Sequence, residues 1–113
     1  MAKRILIVVD EEAMAKWLPR HFEARGANVV QTADDEEALA HARTKPDIVI
    51  LDLVLADRDG FALIQEIKSV APDAFLICTS ARAGTVARRK ALAIGADTYL
   101  SKPFKLAELD LVV

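Results

Sequence analysis

The 113-residue sequence is poor in several residue types, and each scarcity excludes a class of protein. Its single cysteine, Cys78, cannot form an internal disulfide, which is typical of a cytoplasmic protein. No apolar run approaches the roughly 18 residues of a membrane-spanning helix. The 15 lysines and arginines do not outnumber the 17 aspartates and glutamates, so the strong positive charge of nucleic-acid-binding domains is missing.

Aromatic residues make up only 5% of the chain, whereas hydrophobic residues make up 53%. The core must therefore be aliphatic, and this much aliphatic surface excludes a disordered chain. The four glycines and four prolines form no linker. We therefore expect one domain over residues 1–113.

Short continuous apolar runs alternate with segments of helical spacing along the chain. The strand candidates are 5–9, 29–30, 48–51, 75–78 and 99–100. The three longest lack polar alternation, which is typical of strands buried on both faces of a parallel sheet. A helical segment follows each strand, and the last one, from Leu106, is short or truncated at the chain end. This order predicts a doubly wound α/β fold with helices on both faces of the sheet.

Two of the helical segments carry more specific expectations. In the first, Trp17 joins the apolar spacing that includes Leu18, so we expect it in the core. Pro19 lies inside the same segment and removes a backbone donor, which predicts a kink or a local break. In the second, Asp34 is the predicted N-cap, with Glu37 in the capping-box position.

Polar residues follow the predicted strands at the edge where doubly wound sheets bind ligands. They are Asp10, Glu11 and Glu12 after the first strand, Asp52 after the third, Thr79 and Ser80 after the fourth, and Ser101 and Lys102 after the fifth. Carboxylates suit a hard cation such as Mg²⁺ and can attack phosphorus, and a lysine and a hydroxyl can bind phosphoryl oxygens. No glycine-rich nucleotide-binding motif follows the first strand, so we do not expect nucleotide binding.

Four segments together resemble the receiver domain of two-component response regulators, essentially from end to end. They are RILIVVDEE (4–12), PDIVILDLVLADRDG (46–60), ICTSA (77–81) and GADTYLSKPF (95–104). The resemblance implies a flavodoxin-like (βα)5 three-layer sandwich with strand order 2-1-3-4-5. It also implies a signalling switch that catalyses only its own aspartyl phosphorylation and dephosphorylation, and not an enzyme of metabolism.

The resemblance implies roles for four residues around a phosphoryl group. Asp52 matches the phosphoacceptor, Ser80 the hydroxyl that binds the phosphoryl group, and Lys102 the lysine that pairs with it. Tyr99 matches the aromatic switch residue, which turns inward when that hydroxyl moves.

The resemblance also implies a Mg²⁺ site. Its protein ligands would be Asp10, Asp52 and the backbone carbonyl of Val54, with Glu11 as a further candidate. The family normally has a second acid at the end of the first strand, and here that position is Val9. We expect this loss to weaken Mg²⁺ binding.

A sensor histidine kinase or a phosphotransfer protein would supply the phosphoryl group, and an output domain or effector protein would read it. A homodimer through the fourth helix, fifth strand and fifth helix is also expected, with no direct contact to nucleic acid or membrane. Two alternatives stay open. Val9 motivates a degenerate receiver that binds proteins without phosphorylation, and a Mg²⁺-dependent phosphohydrolase is disfavoured because Val54 stands where its second acid would lie.

Overall fold

The computed structural model describes residues 3–9, 12–55, 58–80, 85–101 and 106–113. In order along the chain, the elements of this part are β1 (Arg4–Val8), α1 (Glu12–Glu23), β2 (Asn28–Thr32), α2 (Asp35–Ala42), β3 (Ile48–Asp52), β4 (Val54–Leu55), β5 (Arg58–Asp59), α3 (Gly60–Val70), β6 (Phe75–Ser80), α4 (Thr85–Ala93), β7 (Thr98–Ser101) and α5 (Leu106–Val112). Among the described helices, none is long and apolar enough to cross a membrane.

Five parallel strands form the main sheet in the order β2-β1-β3-β6-β7. Counted along the main sheet alone, this is the order 2-1-3-4-5, so the predicted doubly wound fold is confirmed. The central strand β3 is buried along its whole length, in agreement with its continuous apolar run. The short antiparallel pair of β4 and β5 was not predicted.

Alternate residues of the strands pack on the two faces of the sheet. One cluster, the α1/α5 face, consists of Ile5, Ile7, Val9, Ile48, Ile50 and Ile77 with Met14, Leu18 and Phe22 of α1 and Leu109 of α5. The opposite cluster, the α2/α3/α4 face, includes Leu6, Val8, Val49, Leu51, Leu76 and Cys78 with Ala38 of α2, Leu63 and Ile64 of α3 and Ala91 of α4. The three layers that the resemblance implies are therefore present.

The cap of α2 agrees with the sequence, with one difference. The Glu37 N–H donates to the Asp34 carboxylate at 3.0 Å, so Asp34 is the N-cap. The Glu37 carboxylate accepts from the Thr32 hydroxyl at 2.8 Å, and the same hydroxyl accepts from the Asp34 N–H at 3.0 Å. In a capping box, the Glu37 carboxylate would accept directly from the Asp34 N–H. Here the Thr32 hydroxyl bridges these two groups.

Two expectations for α1 are corrected. The buried stripe of this helix is Met14, Leu18 and Phe22, one residue per turn, and Trp17 lies beside it with 39% of its surface exposed. The expectation that Trp17 packs in the core is wrong, because so narrow a stripe leaves its flank at the surface. The helix also continues through Pro19 to Glu23, so the local break is absent, and the kink stays a prediction.

Candidate functional site

The candidate site lies at the carboxyl edge of the main sheet, where β3 and β6 end next to each other. Asp52 is the last residue of β3 and is only 2% exposed. Ser80 is the last residue of β6 and is fully buried. The Leu53 N–H donates to the Thr79 carbonyl at 2.9 Å, which holds the two strand ends together. A carboxylate and hydroxyls therefore meet at the edge that the sequence predicts.

Asp52 belongs to a row of residues across the α1/α5 face. Its register partner on β6 is Thr79, and the partner of Thr79 on β7 is Leu100. Val9 continues the row on the other side, one position beyond the registered pair of Val8 and Leu51. Val9 is fully buried in the apolar cluster of this face. The position where the family has an acid is thus part of the apolar core.

Ser80 and Tyr99 lie on the strand positions that alternate to the opposite face. Tyr99 pairs in register with Cys78, is 4% exposed, and belongs to the α2/α3/α4 cluster. Ser80 pairs in register with Ser101. The tyrosine that matches the switch residue is therefore buried, two positions before the register pair that contains Ser80 and on the same face.

Several of the predicted site residues lie outside the described part of the chain. They are Asp10, Glu11 and Lys102. Val54, whose carbonyl is the predicted backbone ligand, begins β4 and pairs with Asp59. The structure thus brings Asp52, Ser80 and the backbone of Val54 to one edge of the sheet. The roles of these residues, and those of Tyr99, Asp10, Glu11 and Lys102, stay predictions.

Thr79 also lies at this edge, where the sequence places it without a role. Its side chain is fully buried, and its hydroxyl has no hydrogen-bond partner among the residues that the structure describes. The hydroxyl of Thr32, which is also buried, has two partners. Among the described residues, the buried hydroxyl that has no hydrogen-bond partner is therefore the one beside Asp52.

Cys78 contributes no nucleophile to the site. Burial, aided by the negative charge of Asp97, raises the pKa of its thiol from the ordinary 9.0 to about 12. A thiol must ionise to react, so this side chain is inert in the folded protein.

Charged contacts at the opposite edge of the sheet stabilise the fold without touching the site. The Lys68 ammonium donates to the Asp97 carboxylate at 2.9 Å and to the Ala74 carbonyl at 2.7 Å, which ties α3 to the turns before β6 and β7. Asp110 of α5 contacts His21 at 2.8 Å and Arg25 at 3.1 Å. An open cavity of about 550 Å³ beside that contact lies at the amino end of β1, away from Asp52.

Comparison with known proteins agrees with this architecture. Residues 5–113 match the family described as the response regulator receiver domain. The transcriptional regulatory protein CssR of Bacillus subtilis (strain 168) is 37% identical over 109 residues, which cover 96% of this chain and 48% of CssR. The KDP operon transcriptional regulatory protein KdpE of Escherichia coli (strain K12) is 41% identical over 108 residues, which cover 93% of this chain and 47% of KdpE.

A solved structure shows the same likeness in three dimensions. It is a response regulator protein from Burkholderia pseudomallei with a phosphorylated aspartic acid, a calcium ion and citrate. The TM-score is 0.90 at 32% identity, over 97% of this chain and 65% of that chain. The chain therefore belongs to the response regulator receiver domain family, and it spans about half the length of the curated relatives it matches.

The donor chemistry at the carboxyl edge fits a divalent metal ion. Asp52 supplies a buried carboxylate, and the backbone of Val54 follows two residues later. Asp10, which follows the first predicted strand in the sequence, would add a second carboxylate. Three oxygen donors leave room for several waters, as Mg²⁺ prefers.

Proposed function

We propose that Asp52 is the phosphoacceptor of this receiver domain and takes its phosphoryl group from a phosphohistidine. The supporting observation is the position of Asp52. Its carboxylate is buried at the carboxyl end of the central strand, next to two buried hydroxyl residues of β6, in a chain of the receiver family. A buried carboxylate held by its strand is positioned for in-line attack, since orientation lowers the barrier to transfer.

The transfer needs two reactants, the Asp52 carboxylate and the phosphohistidine of the donor. An oxygen of the Asp52 carboxylate forms a bond to phosphorus while the bond from phosphorus to the histidine nitrogen breaks. The donor ring, protonated on its other nitrogen, keeps the electron pair of the broken bond and leaves as neutral imidazole, and an acyl phosphate remains on Asp52. Later attack by water on phosphorus restores the carboxylate and releases phosphate. The domain therefore catalyses only its own modification.

Mg²⁺ is the metal ion that we propose for the site, held by Asp10, Asp52 and the carbonyl of Val54, with Glu11 as a further candidate. When bound, it offsets the negative charge shared by the carboxylate and phosphoryl oxygens. We propose that Lys102 pairs with the phosphoryl group and that the hydroxyl of Ser80 donates to one of its oxygens.

The output of the domain would be a change of its surface near β7. Movement of Ser80 toward the phosphoryl group would change the packing at the end of β6, beside which Tyr99 lies buried. The equilibrium between the two arrangements would shift by the difference in their contacts to the phosphoryl group. Val86 and Leu92 of α4 are 81% and 38% exposed, and they support a protein contact on the face of α4, β7 and α5.

We propose as partners a sensor histidine kinase or phosphotransfer protein and an output domain or effector, with homodimerisation through the face of α4, β7 and α5. CssR and KdpE are named as transcriptional regulatory proteins and are about twice as long as this chain. DNA contact would belong to such an output domain, since this domain carries a net charge of −2. The one cysteine, buried and free, suits a cytoplasmic location.

Substitution of the phosphoacceptor tests the proposal. We expect the wild-type protein with Mg²⁺ to gain the mass of one phosphoryl group from acetyl phosphate and to unfold at a higher temperature with BeF₃⁻. Asp52→Asn should show neither effect, because an amide is not a nucleophile for phosphorus. Mass spectrometry and thermal unfolding are the measurements.

Asp73→Asn is the matched control for this experiment. Asp73 is an exposed aspartate in the turn between α3 and β6, at the opposite edge of the sheet. It should respond as the wild type does. Phosphorylation that persists in Asp52→Asn, or no response in the wild type, would contradict the assignment.

A degenerate receiver that acts through protein contacts alone is the second candidate. The observation in its favour is Val9, which is fully buried where the family has an acid. A Mg²⁺ titration distinguishes the two functions. Binding far too weak for cellular magnesium, combined with no BeF₃⁻ response, would favour the degenerate receiver.

A further inference from the structure

The starting point is the hydroxyl of Thr79, which is buried without a hydrogen-bond partner among the described residues. A buried hydroxyl without a partner destabilises the folded state, since it gives up its bonds to water. Valine has nearly the same shape and would fill the position without this cost. A partner supplied in another state of the protein would therefore be favourable.

The register of the sheet identifies where that partner would be. Thr79 and Asp52 are register partners on neighbouring parallel strands, so their side chains point to the same face. Neighbouring strands lie about 4.7–4.9 Å apart. The Leu53 N–H bond to the Thr79 carbonyl, 2.9 Å long, fixes this spacing immediately beyond Asp52.

The surroundings of the pair are apolar on both sides. Val9 and Leu100 flank Asp52 and Thr79 in the row across the α1/α5 face, and both belong to its apolar cluster. Within this row, the Thr79 hydroxyl is the one described donor beside the carboxylate. In such surroundings a hydrogen bond to a charged oxygen is stronger than in water.

We infer that Thr79 is an additional phosphoryl-binding residue, whose hydroxyl donates to an oxygen of the acyl phosphate on Asp52. This inference rests on the proposed function, since it needs Asp52 to be the phosphoacceptor. The new oxygens of the acyl phosphate give the hydroxyl the partner that it lacks. Ser80 is the next residue along β6 and alternates to the other face, so the side chains of Thr79 and Ser80 lie on opposite faces of the sheet.

The experiment compares Thr79→Val with Thr79→Ser, with BeF₃⁻ at saturating Mg²⁺ as the probe. Thr79→Val removes the hydroxyl and keeps the volume, and Thr79→Ser keeps the hydroxyl. We expect Thr79→Val to bind BeF₃⁻ about tenfold more weakly than the wild type, the loss typical of one hydrogen bond to a charged group. Thr79→Ser should bind as the wild type does, and without BeF₃⁻ the valine variant should unfold at or above the wild-type temperature.

Thr98→Val is the matched control, because it makes the same change on β7 near the amino edge of the sheet. It should leave BeF₃⁻ affinity unchanged. Wild-type affinity in Thr79→Val, or an equal loss in Thr79→Val and Thr79→Ser, would overturn the inference while leaving the proposed function intact. No BeF₃⁻ response in the wild type would overturn the proposed function and this inference with it.

Discussion

At the scale of single residues, Val9 is the position where we expect stability and metal binding to oppose each other. It is fully buried on the α1/α5 face, and its backbone is held by the Thr32 carbonyl at 3.1 Å and by the Gln31 side chain at 3.1 Å. A carboxylate at this position would lie in the same row as Asp52 but would be removed from water. A cation bound beside it would compensate its charge.

Val9→Asp should therefore be less stable than the wild type without Mg²⁺, by about 2–4 kcal/mol, through lost apolar packing and a desolvated charge. Its affinity for Mg²⁺ should rise about tenfold or more, and the stability should return as Mg²⁺ is added. Urea unfolding at increasing MgCl₂ concentrations measures both effects in one series.

Val9→Asn separates the charge from the change of shape. It should lose stability as the aspartate variant does, because it also buries a polar group, yet gain little from Mg²⁺. Equal Mg²⁺ dependence of Val9→Asp and the wild type would show that this position does not face the metal ion.

At the scale of elements, the entry to α3 is constrained by space. Gly60, the first residue of α3, is buried against Leu53, and a Cβ added to it would lie 2.6 Å from the Leu53 Cα and also collide with its carbonyl oxygen. Gly26, after α1, differs because its φ is +87° and nothing lies within 4 Å of an added Cβ. The two glycines are thus required for different reasons.

Gly60→Ala should cost about 3 kcal/mol or more of unfolding free energy, because backbone must move to admit the methyl group. Gly26→Ala should cost about 1–2 kcal/mol, the strain of a left-handed conformation with open space around it. Since Leu53 directly follows Asp52, Gly60→Ala should also weaken BeF₃⁻ binding, and Gly26→Ala should not. Urea unfolding and BeF₃⁻ titration measure these effects. If the two glycine variants lost equal stability and equal BeF₃⁻ affinity, the proposed difference between the glycines would be wrong.

The elements also show which parts of the fold sequence patterns can predict. The strands with continuous apolar runs are found where they were expected, because a strand buried on both faces has no polar positions to obscure it. The pair of β4 and β5 was missed, since each strand has two residues and so short a strand has no period to detect. Trp17 was misplaced because helical spacing does not tell how wide the buried stripe is.

The sequence predicted only part of the candidate site, namely the part that depends on strand order and not on packing. Strand ends bring Asp52 and Ser80 together, and that follows from the order of strands alone. The sequence could not show that the Thr79 hydroxyl is buried without a partner, because that is a property of packing and not of residue spacing. The fate of Val9 also needed the structure, since only the cluster around it shows that the position is closed to water.

At the scale of the whole molecule, the one cysteine of the chain reports on global stability. Cys78 is fully buried on β6, with Leu51 of β3 and Tyr99 of β7 as register partners. Its side chain belongs to the α2/α3/α4 cluster, so the helices of that face must separate from the sheet before the thiol meets water. Alkylation of its thiol should therefore require global unfolding.

The same thiol predicts the pH dependence of folding. Burial raises the pKa of Cys78 from 9.0 to about 12, so above pH 9 the thiol ionises in the unfolded chain before it ionises in the folded protein. Its contribution to stability is fully present below pH 9 and is lost by about 1.4 kcal/mol per pH unit as the pH rises toward 12. Urea unfolding between pH 8 and about pH 9.5, below the ordinary pKa values of tyrosine and lysine, should show the onset of this loss as the pH passes 9. Cys78→Ala should be less stable than the wild type below pH 9 because of its cavity, yet should lack the slope above pH 9. A wild-type slope in Cys78→Ala would assign the pH dependence to another group, and alkylation faster than global unfolding would show that β6 opens locally.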